Sequence, residues 1–183
     1  YQQAAERAVR WMLTQALPNG WCANVSLSHP DRPWTHLIGY YLVGFMEVFR
    51  LGNADLDFGQ IGSLLTAAAE NIVVPYLSDF RKGVIKPYLG LPGTYDRNWQ
   101  STDSWSCVTG NIQIEFFLRR LVRFVDEPGL IQAADLLLDD TKRLQFVTGD
   151  EDIDVYGGLP GSHPLSGEYL SHAIPNWGVK FFA

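Results

Sequence analysis

The stretch Trp34-Thr-His-Leu-Ile-Gly-Tyr-Tyr-Leu-Val-Gly-Phe-Met-Glu-Val-Phe-Arg50 has no polar face when read at helical period. Leu37, Tyr41 and Val48 lie on one side, and Ile38, Leu42, Phe45 and Phe49 on another. Only His36, Tyr40 and Glu47 interrupt the remainder. A helix that is apolar all round is buried all round. At about 17 residues it nearly reaches the length of a membrane span. Its His, Glu, Arg and two glycines argue for the inside of a folded domain instead. The rest of the chain must cover this helix, and its polar residues cluster at its start.

One domain, residues 1–183, is the expectation for a chain of this length. The net charge of −6 and the lack of a basic run argue against nucleic acid and anionic membranes as partners. Aromatic residues make up 13% of the chain, with six Trp, which suits a large core or a cleft that stacks on sugars, rings or isoprenoids. Two cysteines, Cys22 and Cys107, form neither a disulfide framework nor a metal site, and the expectation is two free buried thiols. No cofactor motif and no metal set is visible. The chain lacks an initiating Met and stops at Lys180-Phe-Phe-Ala183 in mid-pattern. It therefore reads as a piece of a longer protein, and its localisation stays open, with the cytoplasm slightly favoured.

In order, Gln2 to Leu17 reads as an amphipathic helix with Ala4, Ala5, Ala8, Trp11, Met12 and Leu13 on its apolar side. The buried helix follows a loop and closes at Gly52-Asn53. Phe58 to Leu77 is a third helix, with Ile61, Leu64, Leu65, Ala68 and Ile72 as its stripe and Pro75 disturbing its last turn. Gly83 to Tyr88 reads as a short strand or hairpin arm. A fourth helix, Ser106 to Val125, is again mostly apolar, with one polar line at Asn111, Glu115 and Arg119. Glu127-Pro128 opens a fifth helix, and Pro175-Asn-Trp177 begins a sixth.

Helices one, three and five are thus amphipathic, while two and four are apolar nearly all round. An outer and an inner ring would show this alternation. Trp34, Trp105 and Trp177 stand at or near the starts of the inner helices, 71 and 72 residues apart. Trp34-x4-Gly39 matches Trp105-x4-Gly110. Such self-similarity is the sequence signature of a repeated architecture.

The pattern resembles the α/α-toroid proteins, which include terpenoid cyclases, protein prenyltransferases and α/α-barrel glycosidases, epimerases and polysaccharide lyases. Asn19-Gly-Trp21, Thr35-His-x2-Gly-Tyr40, and Gly157-Gly-Leu-Pro-Gly-Ser-x-Pro164 through Pro175-Asn-Trp-x2-Lys-Phe-Phe182 look like a little-studied bacterial toroid family found among polysaccharide and cell-surface biosynthesis proteins. The resemblance implies an all-α fold, a partial ring of alternating outer and inner helices with long loops at one end. It implies no particular reaction. An Asp-rich cyclase motif, a prenyltransferase zinc set and a Gln-x3-Gly-x-Trp repeat are all missing, which disfavours terpenoid chemistry.

In such a toroid the loops leading into the inner helices gather at one end, where helix N-termini favour anions and hydrogen-bond acceptors. Those loops hold the candidate catalytic residues His36, Asp103 and Glu168. They also hold the candidate substrate-binding residues Trp21, Arg32, Tyr40, Arg97, Trp99, Asn111, His163, Tyr169, Asn176 and Trp177. Carboxylates with aromatic platforms serve glycosidic cleavage. A lyase needs instead a Tyr or His base and a neutraliser for a uronate. Each residue also has a structural reading: His36 and Tyr40 as core, Asp31 and Asp103 as helix caps, Glu115 with Arg119 as an ion pair in the wall, His163 as part of a turn.

The expectation is a carbohydrate-active toroid protein acting on a bacterial glycan, as a hydrolase, lyase or epimerase. The alternatives are a glycan- or isoprenoid-binding module without turnover, a terpenoid cyclase- or prenyltransferase-like protein, and a structural fragment serving protein contacts. Half a ring would leave Tyr40, Tyr41, Phe45, Phe116, Phe117, Phe181 and Phe182 on an open inner face. The remainder of the ring, or a second copy of the chain, would cover it.

Overall fold

The computed structural model describes residues 2–52, 56–147 and 153–182. Among the described residues six helices carry the fold: α1 (Gln2–Gln15), α2 (Thr35–Leu51), α3 (Phe58–Lys82), α4 (Val108–Leu121), α5 (Pro128–Lys142) and α6 (Asn176–Phe182). The only sheet among the described residues is a pair of two-residue strands, β1 (Ser106–Cys107) and β2 (Ser162–His163), which run antiparallel. The protein is therefore all-α in class.

The burial follows the hydropathy pattern. Every residue of α4 from Val108 to Glu115 is buried, and half of α2 is, including Ile38, Leu42, Phe45 and Met46. α3 buries one stripe of Ile61, Leu64, Leu65, Ala68 and Ile72. α5 buries Leu130, Ala133, Ala134 and Leu137. α4 is the hub: it packs on α2, α5 and α6, while α3 lies across α2 and α5. Ile114, Phe117, Leu118 and Leu121 of α4 enter one core with Tyr41, Leu42 and Phe45 of α2 and the stripes of α3 and α5. Each such side chain stabilises the fold by about 1.5–3 kcal/mol. α3 is the one described helix long and apolar enough to cross a membrane, but half of that window is buried in the fold, as in a core helix.

Several local features differ from the sequence reading, each for a physical reason. α1 is rotated, so that Val9, Met12, Leu13 and Ala16 touch the core while Ala4, Ala5, Ala8 and Trp11 are exposed. α3 runs through Pro75 to Lys82. Pro75 sits on an exposed side of the helix, where the carbonyl its ring frees can meet water. Residues Gly83 to Tyr88 form no strand. Gly83 instead takes a left-handed turn with φ 64°, and its N–H reaches the Asp79 and Phe80 carbonyls to close α3. Neither Asp31 nor Asp103 caps a helix, since α2 follows Trp34 and α4 follows Cys107 without a side-chain cap. Asp57 and Glu127 are the side-chain caps, of α3 and α5. Of the residues expected on an open inner face, Tyr41, Phe45 and Phe117 are buried in the core between layers. The Phe182 side chain lies outside what is described.

The two matched glycines have a shared reason. A Cβ on Gly39 would stand 2.6 Å from the Gln113 amide oxygen. A Cβ on Gly110 would stand 2.8 Å from the Thr35 Cβ and 2.9 Å from the His36 backbone nitrogen. Each glycine thus admits the other helix where α2 and α4 approach most closely.

Candidate functional site

The loops leading into α2, α4 and α6 are tied into one layer by backbone hydrogen bonds. Thr35 N–H donates to Gly93 O at 2.8 Å, and Gly93 N–H to Trp105 O at 2.9 Å. Val108 N–H donates to Gly161 O at 3.0 Å, and Gly161 N–H to Ala173 O at 2.9 Å. The Thr35 hydroxyl donates to the Pro92 carbonyl. Segments far apart in sequence thereby become one end of the molecule.

An aromatic cluster occupies this layer. The His36 imidazole lies 4.3 Å from the Tyr169 ring, centroid to centroid, and 5.7 Å from Trp34. Trp34 also meets Tyr169 edge-on at 5.3 Å and His29 at 5.6 Å. The Trp177 indole N–H donates to the Tyr169 hydroxyl at 2.7 Å, which brings α6 to the cluster. Cys107 Sγ lies 3.8 Å from His36 Nδ1. His36 is only 8% exposed, and burial holds its pKa down to about 4. Its ring is therefore uncharged at neutral pH, able to accept a proton or a hydrogen bond. Burial pushes the Tyr169 phenol up, so it stays protonated. Burial likewise raises the Cys107 thiol to about 12 and Cys22 to about 11, and both cysteines are free.

Beside the cluster, α4 turns a polar edge toward α2 and α6. Thr109 and Gln113 follow one another at one helical turn. Both are buried; the Thr109 hydroxyl faces the Tyr169 phenol, while neither end of the Gln113 amide has a hydrogen-bond partner. The Thr109 oxygen lies against Gly178 of α6 and the Gln113 amide against Gly39 of α2. Phe181 bridges the same edge: its ring meets Tyr40 at 5.9 Å and Phe116 at 6.1 Å. The Lys180 ammonium sits 4.7 Å from the Phe181 ring and 5.8 Å from Tyr40. Tyr40 and Trp177 are each 43% exposed, so two rings of this group face solvent.

The remaining candidate residues lie elsewhere in the layer. Asp103 binds three donors: Thr94 N–H at 2.6 Å, the Thr94 hydroxyl at 2.7 Å and Arg32 at 2.9 Å. It ties two loops together. Asn111 is wholly buried, accepting from Leu91 N–H at 2.9 Å and donating to Ser106 Oγ at 3.0 Å. It fastens the 83–106 segment to α4. His163 Nδ1 accepts from Leu89 N–H at 3.0 Å, a second tie on that segment. Burial lowers its pKa, against the pull of Asp140. Glu168 and Asn176 are exposed, Asn176 as the first residue of α6. Trp21 and Trp99 pack edge-on at 5.6 Å in the core, and the Trp99 N–H donates to Asn19 O at 3.0 Å. Trp21, Arg32 and Arg97 line a separate cleft of about 510 Å³ with Asp31 and Asp96.

The structure thus brings together His36, Tyr40, Tyr169 and Trp177. To these it adds Trp34, Cys107, Thr109, Gln113, Lys180 and Phe181. Thr109 and Gln113 stand off the single polar line that the sequence shows on α4. The line at Asn111, Glu115 and Arg119 faces the loops and α5 instead: Arg119 pairs with Glu115 and with Asp135 of α5 at 2.8 Å. Among the described residues no three His, Cys, Asp or Glu side chains gather as a metal ion would need.

The class that the fold defines is an all-α protein, with an aromatic and amide-lined cluster where α2, α4 and α6 begin. No protein-family model, no curated protein and no solved structure matches the chain.

Proposed function

We propose that this is a carbohydrate-active α/α-toroid protein acting on a bacterial glycan at the N-terminal ends of α2, α4 and α6. In this reading α2, α4 and α6 belong to the inner ring and α1, α3 and α5 to the outer. The packing of α4 on α2 and α6, with α5 outside it, supports that arrangement. The observation that carries the site is the His36–Tyr169 stack, with the exposed Tyr40 and Trp177 rings around it. Flat aromatic faces beside hydrogen-bonding groups are what sugar rings bind to.

The reaction favoured is proton transfer at a sugar carbon, as in a lyase or epimerase. The His36 imidazole is neutral and so unprotonated at neutral pH, and a substrate that recharges its surroundings must raise its basicity before it serves as the base. Carboxylate-pair hydrolysis needs two carboxyl groups flanking the bond. Asp103 is already bound by three donors, and Glu168 stands on the surface. One observation favours a second reading, binding without turnover: His36 and Tyr169 are themselves buried while Tyr40 and Trp177 are open.

A panel of bacterial polysaccharides incubated with the protein in H2(18)O, followed by mass spectrometry, tests this. Elimination gives an unsaturated product without label, epimerisation an isomer, and hydrolysis a labelled reducing end. Binding on a glycan array without any product supports the second reading. Failure of every glycan to bind would overturn both.

A further inference from the structure

The Gln113 amide is an anomaly that the packing of the fold does not explain. Buried polar groups are nearly always hydrogen-bonded, because an unpaired one keeps its full desolvation cost. Here both polar atoms of the Gln113 amide have none. The amide lies on α4 against Gly39 of α2, one turn from Thr109, which lies against Gly178 of α6, and the Tyr40–Phe181 ring pair links α2 to α6. At this seam stands Lys180. It makes no ion pair among the described residues and lies over two aromatic rings. A lone cation against π faces, on a chain of net charge −6, is a local exception to the protein's field.

We propose that Thr109, Gln113 and Lys180 are the ligand-recognising groups of this site, and that the ligand is a glycan bearing an oxyanion. The oxyanion, a carboxylate or a phosphate ester, pairs with Lys180 at the mouth of the seam. A sugar ring lies on Tyr40 and Trp177. When the Tyr40–Phe181 pair parts, sugar hydroxyls reach the Gln113 amide, which can both donate and accept, and the Thr109 hydroxyl. This inference rests on the glycan reading but adds the charge of the ligand and the residues that read it.

The test is calorimetric titration of the whole chain with three kinds of oligosaccharide: uronate-bearing, phosphate-bearing, and the carboxyl-reduced or dephosphorylated forms of each. Binding of one charged form at least tenfold tighter than its neutral form is expected, and which form binds tells carboxylate from phosphate. Lys180→Met should erase that difference. Gln113→Leu, which removes the unpaired amide at similar volume, should weaken binding of charged and neutral forms alike by tenfold or more while raising the Tm. Equal binding of charged and neutral forms, unchanged by Lys180→Met, would overturn the oxyanion and leave the glycan reading standing. Gln113→Leu with unchanged binding would overturn the role of the amide. Binding of no oligosaccharide at all would sink the inference together with the glycan reading.

Discussion

The His36 imidazole and the Tyr169 ring stack 4.3 Å apart, although one opens α2 and the other sits in the loop before α6. That contact closes the loop layer over the start of α2. It also removes the imidazole from water, which is why the ring resists a proton.

A pH dependence follows. His36 has an ordinary pKa of 6.5 when unfolded and about 4 in the fold. Between those values the unfolded chain takes a proton that the folded chain refuses. Stability should therefore be full above about pH 6.5 and fall as the pH drops toward 4, by on the order of 3 kcal/mol for this group. His163 is shifted in the same direction, so the two must be separated. An NMR titration of the His36 ring protons does so, with a midpoint near 4 expected. A midpoint near 6.5 would mean that the ring is solvated.

Gly110 of α4 and Gly44 of α2 should respond oppositely to alanine. At Gly110 a Cβ would strike Thr35 and the His36 backbone at under 3 Å, so Gly110→Ala should cost about 2 kcal/mol or more. At Gly44 nothing lies within 4 Å, and Gly44→Ala should stabilise by about 0.5–1 kcal/mol. Urea unfolding of the two variants measures both. Equal effects would mean that α2 and α4 are not in close contact there.

Asn111→Ala should destabilise by roughly 2–3 kcal/mol, since it strands the buried Leu91 N–H. Asp103→Asn should also lower the Tm, by loosening Thr94 and Arg32. Neither should change the affinity for glycan beyond what loss of folded protein explains. A specific loss of turnover in Asp103→Asn at full folding would restore Asp103 to the chemistry.

The all-α class and the order of burial among the helices were legible in the sequence because period and burial speak directly to each other. α2 and α4 are apolar nearly all round, and they bury a larger share of their residues than α3 and α5 do. The site was legible only in part. His36, Tyr40, Tyr169 and Trp177 sit near helix starts, and the loop ties bring them together. Asp103 and Asn111 occupy equivalent sequence positions, but their short polar side chains bind backbone within the loops first. Composition does not distinguish a polar group that holds a loop from one that meets a ligand. Gln113 shows the converse: mid-helix glutamine reads as a surface residue, and only its burial without a partner marks it.

Trp177→Phe should keep a ring on α6 while losing the hydrogen bond to Tyr169 at 2.7 Å. A stability loss of about 1 kcal/mol is expected. Weaker glycan binding should accompany it, because the larger exposed indole face is lost. Trp99→Phe, in the other aromatic group, should lower stability without weakening glycan binding. Calorimetric unfolding and glycan titration of the two variants together make the comparison, and equal binding losses would contradict the placement.

A crystal structure of the protein soaked with the oligosaccharide that binds best on an array tests the central claim most directly. The sugar should lie on the Tyr40 and Trp177 rings, with a hydroxyl within hydrogen-bond reach of Gln113. A sugar seated instead in the cleft of Trp21, Arg32 and Arg97, with the α2–α6 seam bare, would contradict it.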